Sequence, residues 1–183
     1  VHDIRKTRGI LGKFYYEDLQ SNLNVEMTKE IARFYLVSEP FKSLKFLKNF
    51  LHLPNIAESW MYDNVKGDIK IEELYAEYDL INNHIIENSI QGKAQIKDAK
   101  IRFHKDVDAV NTKSLDIFFK DNRLHFNLME PMFKDKKLDG SFVLINNLTS
   151  EKDGQVDVFL KTNSKLDKDI LDILKAYNIT LPI

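Results

Sequence analysis

The stretch Ser114–Leu128, SLDIFFKDNRLHFNL, holds two runs of alternating apolar residues on either side of Asp121-Asn122. Leu115, Ile117 and Phe119 take every second position on the way in, and Leu124, Phe126 and Leu128 do so on the way out. Alternate residues of a strand share a face, and a two-residue Asp-Asn connection is hairpin chemistry. Closing the chain there sets Phe119 opposite Leu124, Ile117 opposite Phe126 and Leu115 opposite Leu128. Three apolar pairs then lie on one face. That face must cover a packed core, a partner or a ligand.

The flanking segments continue the strand pattern. GDIKIEELYAEYDL (67–80) carries Ile69 and Ile71, then Leu74, Ala76, Tyr78 and Leu80, with the parity switching at Glu72-Glu73. IQGKAQIKDAKIRFH (90–104) carries Ile90, Gly92, Ala94 and Ile96, then Ala99, Ile101 and Phe103, switching at Lys97-Asp98. An antiparallel register with Ile69 opposite Ile101, Ile71 opposite Ala99, Leu74 opposite Ile96 and Ala76 opposite Ala94 satisfies both halves. It sets the two switches against each other, in a long ribbon that changes its buried face by twist or bulge. LDGSFVLINNL and GQVDVFLKTN form a third hairpin. SKLDKDILDILKAY (164–177) places Leu166, Ile170, Ile173, Leu174 and Tyr177 along one helical face, with Ser164 as N-cap and Asp167 at the capping-box position.

The N-terminal part reads as mixed. Gly9–Glu17 is a strand candidate, and Leu23, Val25 and Met27 alternate as a short second one. Thr28 is placed to cap a helix through TKEIARFYLV that ends before Pro40. FKSLKFLKNFLHL and PNIAESWMYDNV predict helices over 41–52 and 55–64, the second with Ile56, Trp60 and Met61 on one side. The lysines of the first suit a helix lying on its own sheet more than one lying on a membrane. The expected fold class is α+β: a long, strongly twisted, mainly antiparallel sheet with N-terminal and C-terminal helices packing on it. The expected organisation is a single domain over 1–183, with mixed short strands and helices over 1–66, the sheet over 67–162 and the C-terminal helix over 164–177.

Composition narrows the function classes. Of 183 residues, 43% are hydrophobic, enough for a sizeable core, and the net charge of -1 gives no basic excess for nucleic acid. There are no cysteines, hence no disulfide, thiolate nucleophile or thiolate metal site. The histidines, His2, His52, His84, His104 and His125, show no metal-ligand spacing. His104 with Asp106 and Asp108 lacks the glycine and spacing of a calcium loop. Phosphate-loop, dinucleotide and nucleophile-elbow motifs are absent. Glu72 and Glu73 are adjacent, so they point to opposite faces and make a poor acid/base pair. No catalytic residue, metal or cofactor is expected. The chain opens on Val1, and no apolar run approaches the 18 residues of a membrane span; we expect a segment of a longer or processed protein, with any anchor outside it.

Over residues 54–183 the pattern resembles the AsmA-like superfamily and, within it, the YhdP-type envelope proteins. The resemblance is carried by Trp60 ahead of the Gly67 strand start, by Gln91–His104 (QGKAQIKDAKIRFH), by the hairpin residues Ile117, Phe119, Asn122 and Leu124, and by the strand start Leu138–Ser141. It implies curved β-sheet segments with an apolar concave face, in proteins anchored in the inner membrane and extending through the periplasm. It also implies a non-catalytic role in phospholipid transport between membranes or in outer-membrane homeostasis.

The expected partners are therefore phospholipid and neighbouring segments of the full-length protein, with no nucleic acid and with the membrane reached through an anchor outside the chain. The candidate lipid-groove residues are Ile69, Ile71, Ile96, Ile101, Phe103, Leu115, Ile117, Phe119, Leu124, Phe126, Leu128, Phe142 and Leu144. The alternatives are an interaction module working through its sheet edges, with no lipid, and a closed lipocalin-like carrier. The carrier lacks support, because the single Trp60 sits in an expected helix instead of a first-strand Gly-x-Trp. An enzyme ranks last.

Overall fold

The Asp121-Asn122 turn closes on two positive φ values, 51° and 60°, as a two-residue hairpin of this kind requires. It joins β7 (Val110–Lys120) to β8 (Arg123–Met129), with Phe119 opposite Leu124, Ile117 opposite Phe126 and Leu115 opposite Leu128. The computed structural model describes residues 8–45, 48, 55–147 and 154–179. Within them the remaining strands are β1 (Arg8–Tyr16), β2 (Leu19–Met27), β3 (Ile31–Ser38), β4 (Val65–Asp79), β5 (His84–Ile85), β6 (Gln91–Ile101), β9 (Met132–Phe133), β10 (Lys136–Lys137), β11 (Phe142–Asn146) and β12 (Gln155–Phe159). The helices are α1 (Asn55–Tyr62) and α2 (Lys168–Ala176). All twelve strands form one sheet, whose main path runs β1-β2-β3-β4-β6-β7-β8-β11-β12 through antiparallel neighbours.

The expected mainly antiparallel sheet is present, but among the described residues it carries only two short α-helices, so the fold is mostly β with a smaller helical share than the α+β expectation. The largest change lies in TKEIARFYLV. Thr28 Oγ1 accepts from the backbone N–H of Glu30 and Ile31 (3.3 and 3.0 Å), the bonding of an N-cap, but in a tight turn between β2 and β3. The segment Ile31–Val37 is rich in aromatic and branched residues that favour strands. Ala32, Phe34 and Leu36 face inward, while Arg33, Tyr35 and Val37 face outward. Phe41, expected to open a helix, instead exchanges two 2.8 Å backbone hydrogen bonds with Ile69. Half of the expected helix 41–52 lies outside the described residues, as do the side chains of Ile56 and Met61.

The β4–β6 ribbon exists, but its register is shifted. Ile69 meets Ile96, Ile71 meets Ala94 and Val65 meets Ile101. Both parity switches are real and each is a bulge, one where Asp98 and Ala99 oppose Gly67, the other at Glu72. They sit at different heights on the ribbon instead of facing each other. The shift is four positions at Leu74 and five at Ile69 and Ile71. An odd shift would normally turn side chains to the other face, but the bulge at Asp98 switches the parity of β6 between Ile96 and Ile101. Both registers therefore keep the apolar residues on one face, and alternation alone cannot distinguish them.

Helix α1 packs against both β4 and β12. Those strands are five steps apart in the sheet, roughly 24 Å if it were flat, whereas an eight-residue helix is only about 12 Å long. The sheet therefore curls around α1. On the concave side Trp60, 6% exposed, sets its ring 5.6 Å from Phe103 and 6.3 Å from Phe126. Around it lie Ile69, Ile96, Leu115, Leu128, Val143 and Ile145, all buried.

Helix α2 buries no residue completely. Its N-cap is Asp167, not the expected Ser164, and the cap carboxylate accepts from Asp169 N and Ile170 N. Leu166 thereby falls outside the helix and is exposed. The helix is fastened by charge. Lys136, 5% exposed, lies 2.8 Å from Asp167, 2.9 Å from Asp135 and 3.2 Å from Asp169, and Tyr177 donates its hydroxyl to Phe103 O at 3.1 Å. Hydrogen bonds from Lys136 hold the carboxyls of Asp167 and Asp135 below the usual carboxylate range; Lys134 and then Lys136 do so for Asp169.

A Cβ at Gly67 (φ 151°) would stand 2.5 Å from Ile96 Cγ2 and 2.6 Å from Lys97 O, whereas one at Gly12 meets nothing within 4 Å. Gly67→Ala should therefore cost about 1–3 kcal/mol in urea unfolding, and Gly12→Ala should cost close to nothing. The Lys136 cluster predicts an acid limb. Carboxylates with lowered folded-state pKa values stabilise above the unfolded value of about 4 and lose that contribution as pH falls through the folded value. Lys136→Met should lower the melting temperature at pH 7 and flatten its fall between pH 5 and pH 2.

Candidate functional site

The inner face is organised as rows that cross the sheet. One runs Gly12–Leu23–Leu36–Leu74–Gly92–Phe119–Leu124–Ile145–Val156, a directly opposed residue from each of the nine main-path strands. A second, parallel to it, runs Ile71–Ala94–Ile117–Phe126–Val143–Val158. The bulge at Glu72 keeps Ile71 and Leu74 on the same side although they are three residues apart.

The first row is covered at one end and open at the other. Leu124 and Ile145 are buried, while Leu23, Leu36, Leu74 and Phe119 are half-buried. Over the open half lies a cleft of about 1040 Å³. On β1, β2, β3, β4 and β7 its described lining residues form triplets centred on Gly12, Leu23, Leu36, Leu74 and Phe119; from β6 Gln91 and Gly92 line it. The floor is therefore the apolar row, edged by the backbone of the flanking residues.

The structure divides the sequence-predicted groove residues. Ile69, Ile71, Ile96, Ile101, Leu115, Leu124, Phe126 and Leu128 are all below a tenth exposed and belong to the core under α1. Phe103, Ile117 and Phe119 are partly buried against that core, and of the whole set only Phe119 lines the cleft. Phe142 and Leu144 lie on the outer face, a correction of parity. Their neighbours Val143 and Ile145 are the inward residues, while Leu144 stands opposite His125 and Phe142 opposite Asn127. Leu23 and Leu36 are missed as groove residues because their strands look short or helical in sequence, and Gly12, in the strand candidate Gly9–Glu17, because it has no side chain to show an alternation. Leu74 is legible in the alternation of 67–80.

Other chemistry is sparse. His104 Nδ1 accepts a 3.2 Å hydrogen bond from Asp106 N, and Asp108 pairs with Lys134 at 3.5 Å, so the three side chains do not converge. No group of three metal-ligating side chains is found among the described residues. On the outer face Glu77 accepts from Tyr75 and from Arg33 Nε (3.0 Å), bonds that hold its carboxyl below the usual range. Burial, reinforced by that hydrogen bond, pushes the Tyr75 hydroxyl up to about 12. This group braces β3 to β4 and offers no nucleophile or free base. What the inner face offers is an elongated apolar surface without fixed polar partners.

A family model described as YhdP protein matches residues 52–182, more than two thirds of the chain. No curated protein and no solved structure matches.

The division into core and cleft is testable. Phe126→Asp puts a charge in a filled core in place of a ring whose centre lies 6.3 Å from that of Trp60 and should abolish cooperative thermal unfolding. Leu36→Gln on the cleft floor should keep a cooperative melt and cost about 1 kcal/mol.

Proposed function

The chain belongs to the YhdP family, and from that premise we propose that it is one segment of an AsmA-like envelope protein that shields phospholipid acyl chains along the inner face of its sheet. The observation that carries this reading is the open half of the nine-strand row. A cleft of about 1040 Å³ lies over Leu23, Leu36, Leu74 and Phe119, and acyl chains need apolar area and no directed hydrogen bonds. Each Å² of apolar surface removed from water contributes roughly 25 cal/mol. The role is holding and passing lipid, without catalysis. The location is the periplasm, with attachment to the inner membrane through a segment beyond this chain; no helix among the described residues is long and apolar enough to cross a membrane.

One observation favours a second reading. The edge strand β1 pairs only with β2 among the described strands and leaves Ile10 and Leu11 55% and 86% exposed. An unpaired apolar edge is suited to adding a strand from another segment, so the sheet would serve assembly and the cleft would be incidental.

Lipid extraction and native mass spectrometry of the protein isolated from a bacterial envelope fraction separate the two. On the lipid reading, phospholipid co-purifies and is lost in a folded Leu36→Gln/Leu74→Gln variant. Lipid-free wild-type protein, or phospholipid retained equally by the variant, would count against it and favour the edge reading.

A further inference from the structure

At the far end of the β4–β6 ribbon from the cleft, Lys66 stands directly opposite Lys100. We propose that these two lysines, with Arg102 and Lys105, form a binding site for a phosphate-bearing anion.

The four cationic side chains line a pocket of about 660 Å³ together with Ser59 and Asn64. Lys66 and Lys100 both point outward, since Val65, Ala99 and Ile101 on either side of them are buried. Arg102 lies two positions beyond Lys100, and its backbone N–H donates to Asn64 O at 2.9 Å, tying the end of β6 to the turn after α1. Lys105 comes from the turn beyond. Asp63 is the one carboxylate among the described lining residues, and it already faces Lys45 at 3.9 Å. None of the four cations has a carboxylate within ion-pair distance among the described residues. Three other lysines of this sheet do have carboxylate partners: Lys93 with Glu72 at 2.7 Å, Lys113 with Glu130 at 3.0 Å and Lys136 with three aspartates.

Like charges directly opposed on neighbouring strands destabilise a sheet, and a bound anion would relieve that repulsion. The donor set selects its chemistry. Three ammonium groups and a guanidinium fork around one pocket match the several oxygens of a phosphate monoester or diester, which accept multiple charge-assisted hydrogen bonds at once. His104, also in the lining, accepts from Asp106 N through Nδ1, which leaves Nε2 as its N–H donor. The site is distinct from the apolar cleft: Lys66 and Leu74 are eight residues apart on β4, roughly 26 Å along the strand. The shared chemistry is the phosphate group, whether on a lipid headgroup or free in solution.

The test uses the 183-residue chain, a Lys66→Gln/Lys100→Gln variant and a charge-matched control, Lys29→Gln/Lys165→Gln. Thermal melts are titrated with inorganic phosphate, and co-flotation is measured with phosphatidylglycerol and with phosphatidylcholine vesicles. The expected result is binding in at least one arm, weakened about tenfold or more in the site variant and unchanged in the control. A response to inorganic phosphate assigns the site to a free anion; flotation with phosphatidylglycerol alone assigns it to a lipid headgroup. Without ligand, the site variant should melt at or above the wild-type temperature, because the opposed charges are gone. No response in either arm, equal losses in variant and control, or a lowered ligand-free melting temperature in the site variant would overturn the proposal.

Discussion

A strand changes face at every residue, and β4 is 15 residues long. Holding one side of so long a strand against a single apolar surface is the constraint on which this sheet depends. The chain meets it with two bulges. Near Gly67 the extra residue is on β6, where Asp98 takes a φ of 49°; at Glu72 the extra residue is on β4. The Asp98 bulge resets the parity of β6, so Ile96 stays on the side of Ala99 and Ile101; the Glu72 bulge resets β4, so Leu74 points inward with Val65, Ile69 and Ile71. Without the second, Leu74 would turn outward and the nine-strand row would break at its centre. Bulges also strengthen local twist and bend the strand, in keeping with a sheet curled tightly enough for α1 to touch both β4 and β12.

The same curl explains why one half of the inner face is solid and the other open. An eight-residue helix contributing Trp60 fills the hollow between β4 and β12. Among the described residues nothing comparable lies over the inner side of β1, β2 and β3, where Leu23 and Leu36 remain half-buried. The two halves share a backbone and a row of side chains but differ in energetic role. Truncation in the filled half leaves a cavity among close-packed neighbours, whereas truncation in the open half only widens a cleft that solvent already reaches.

How much of the fold is legible in the sequence depends on the reach of each signal. The β7–β8 hairpin is local, and its register is readable because the turn residues fix it. The β4–β6 register depends on a longer connection and two bulges, and a bulge lets even an odd shift keep the apolar residues on one face, so alternation identifies the neighbouring strands but not the partner residues. Thr28 shows a different limit: its hydroxyl makes the bonds of a helix cap and of a β-turn alike, and only the aromatic and branched residues after it favour a strand. Family membership is legible because the phrases 91–104 and 114–128 are long. The split between core and cleft is not, since it depends on where α1 docks. Thirteen apolar residues match the groove pattern equally well, and only Phe119 lines the cleft.

The open half is shaped by two glycines as much as by its leucines. Gly92, between Leu74 and Phe119 in the row, has no room for a larger residue: a Cβ there would stand 2.8 Å from Glu73 O, beside the bulge. The residue that the bulge requires therefore also lowers the cleft floor at its middle. Gly12 ends the row on β1 without a side chain of its own and, among the described residues, with nothing within 4 Å of its Cβ position, so the row itself raises no wall at that edge. At the opposite edge the rows end in Val156 and Val158, packed against the core. An apolar chain lying along the floor would be enclosed toward β12 and free toward β1. That asymmetry suits a segment that passes a long apolar molecule along its length better than it suits a closed carrier, because a carrier must surround its ligand to remove it from water.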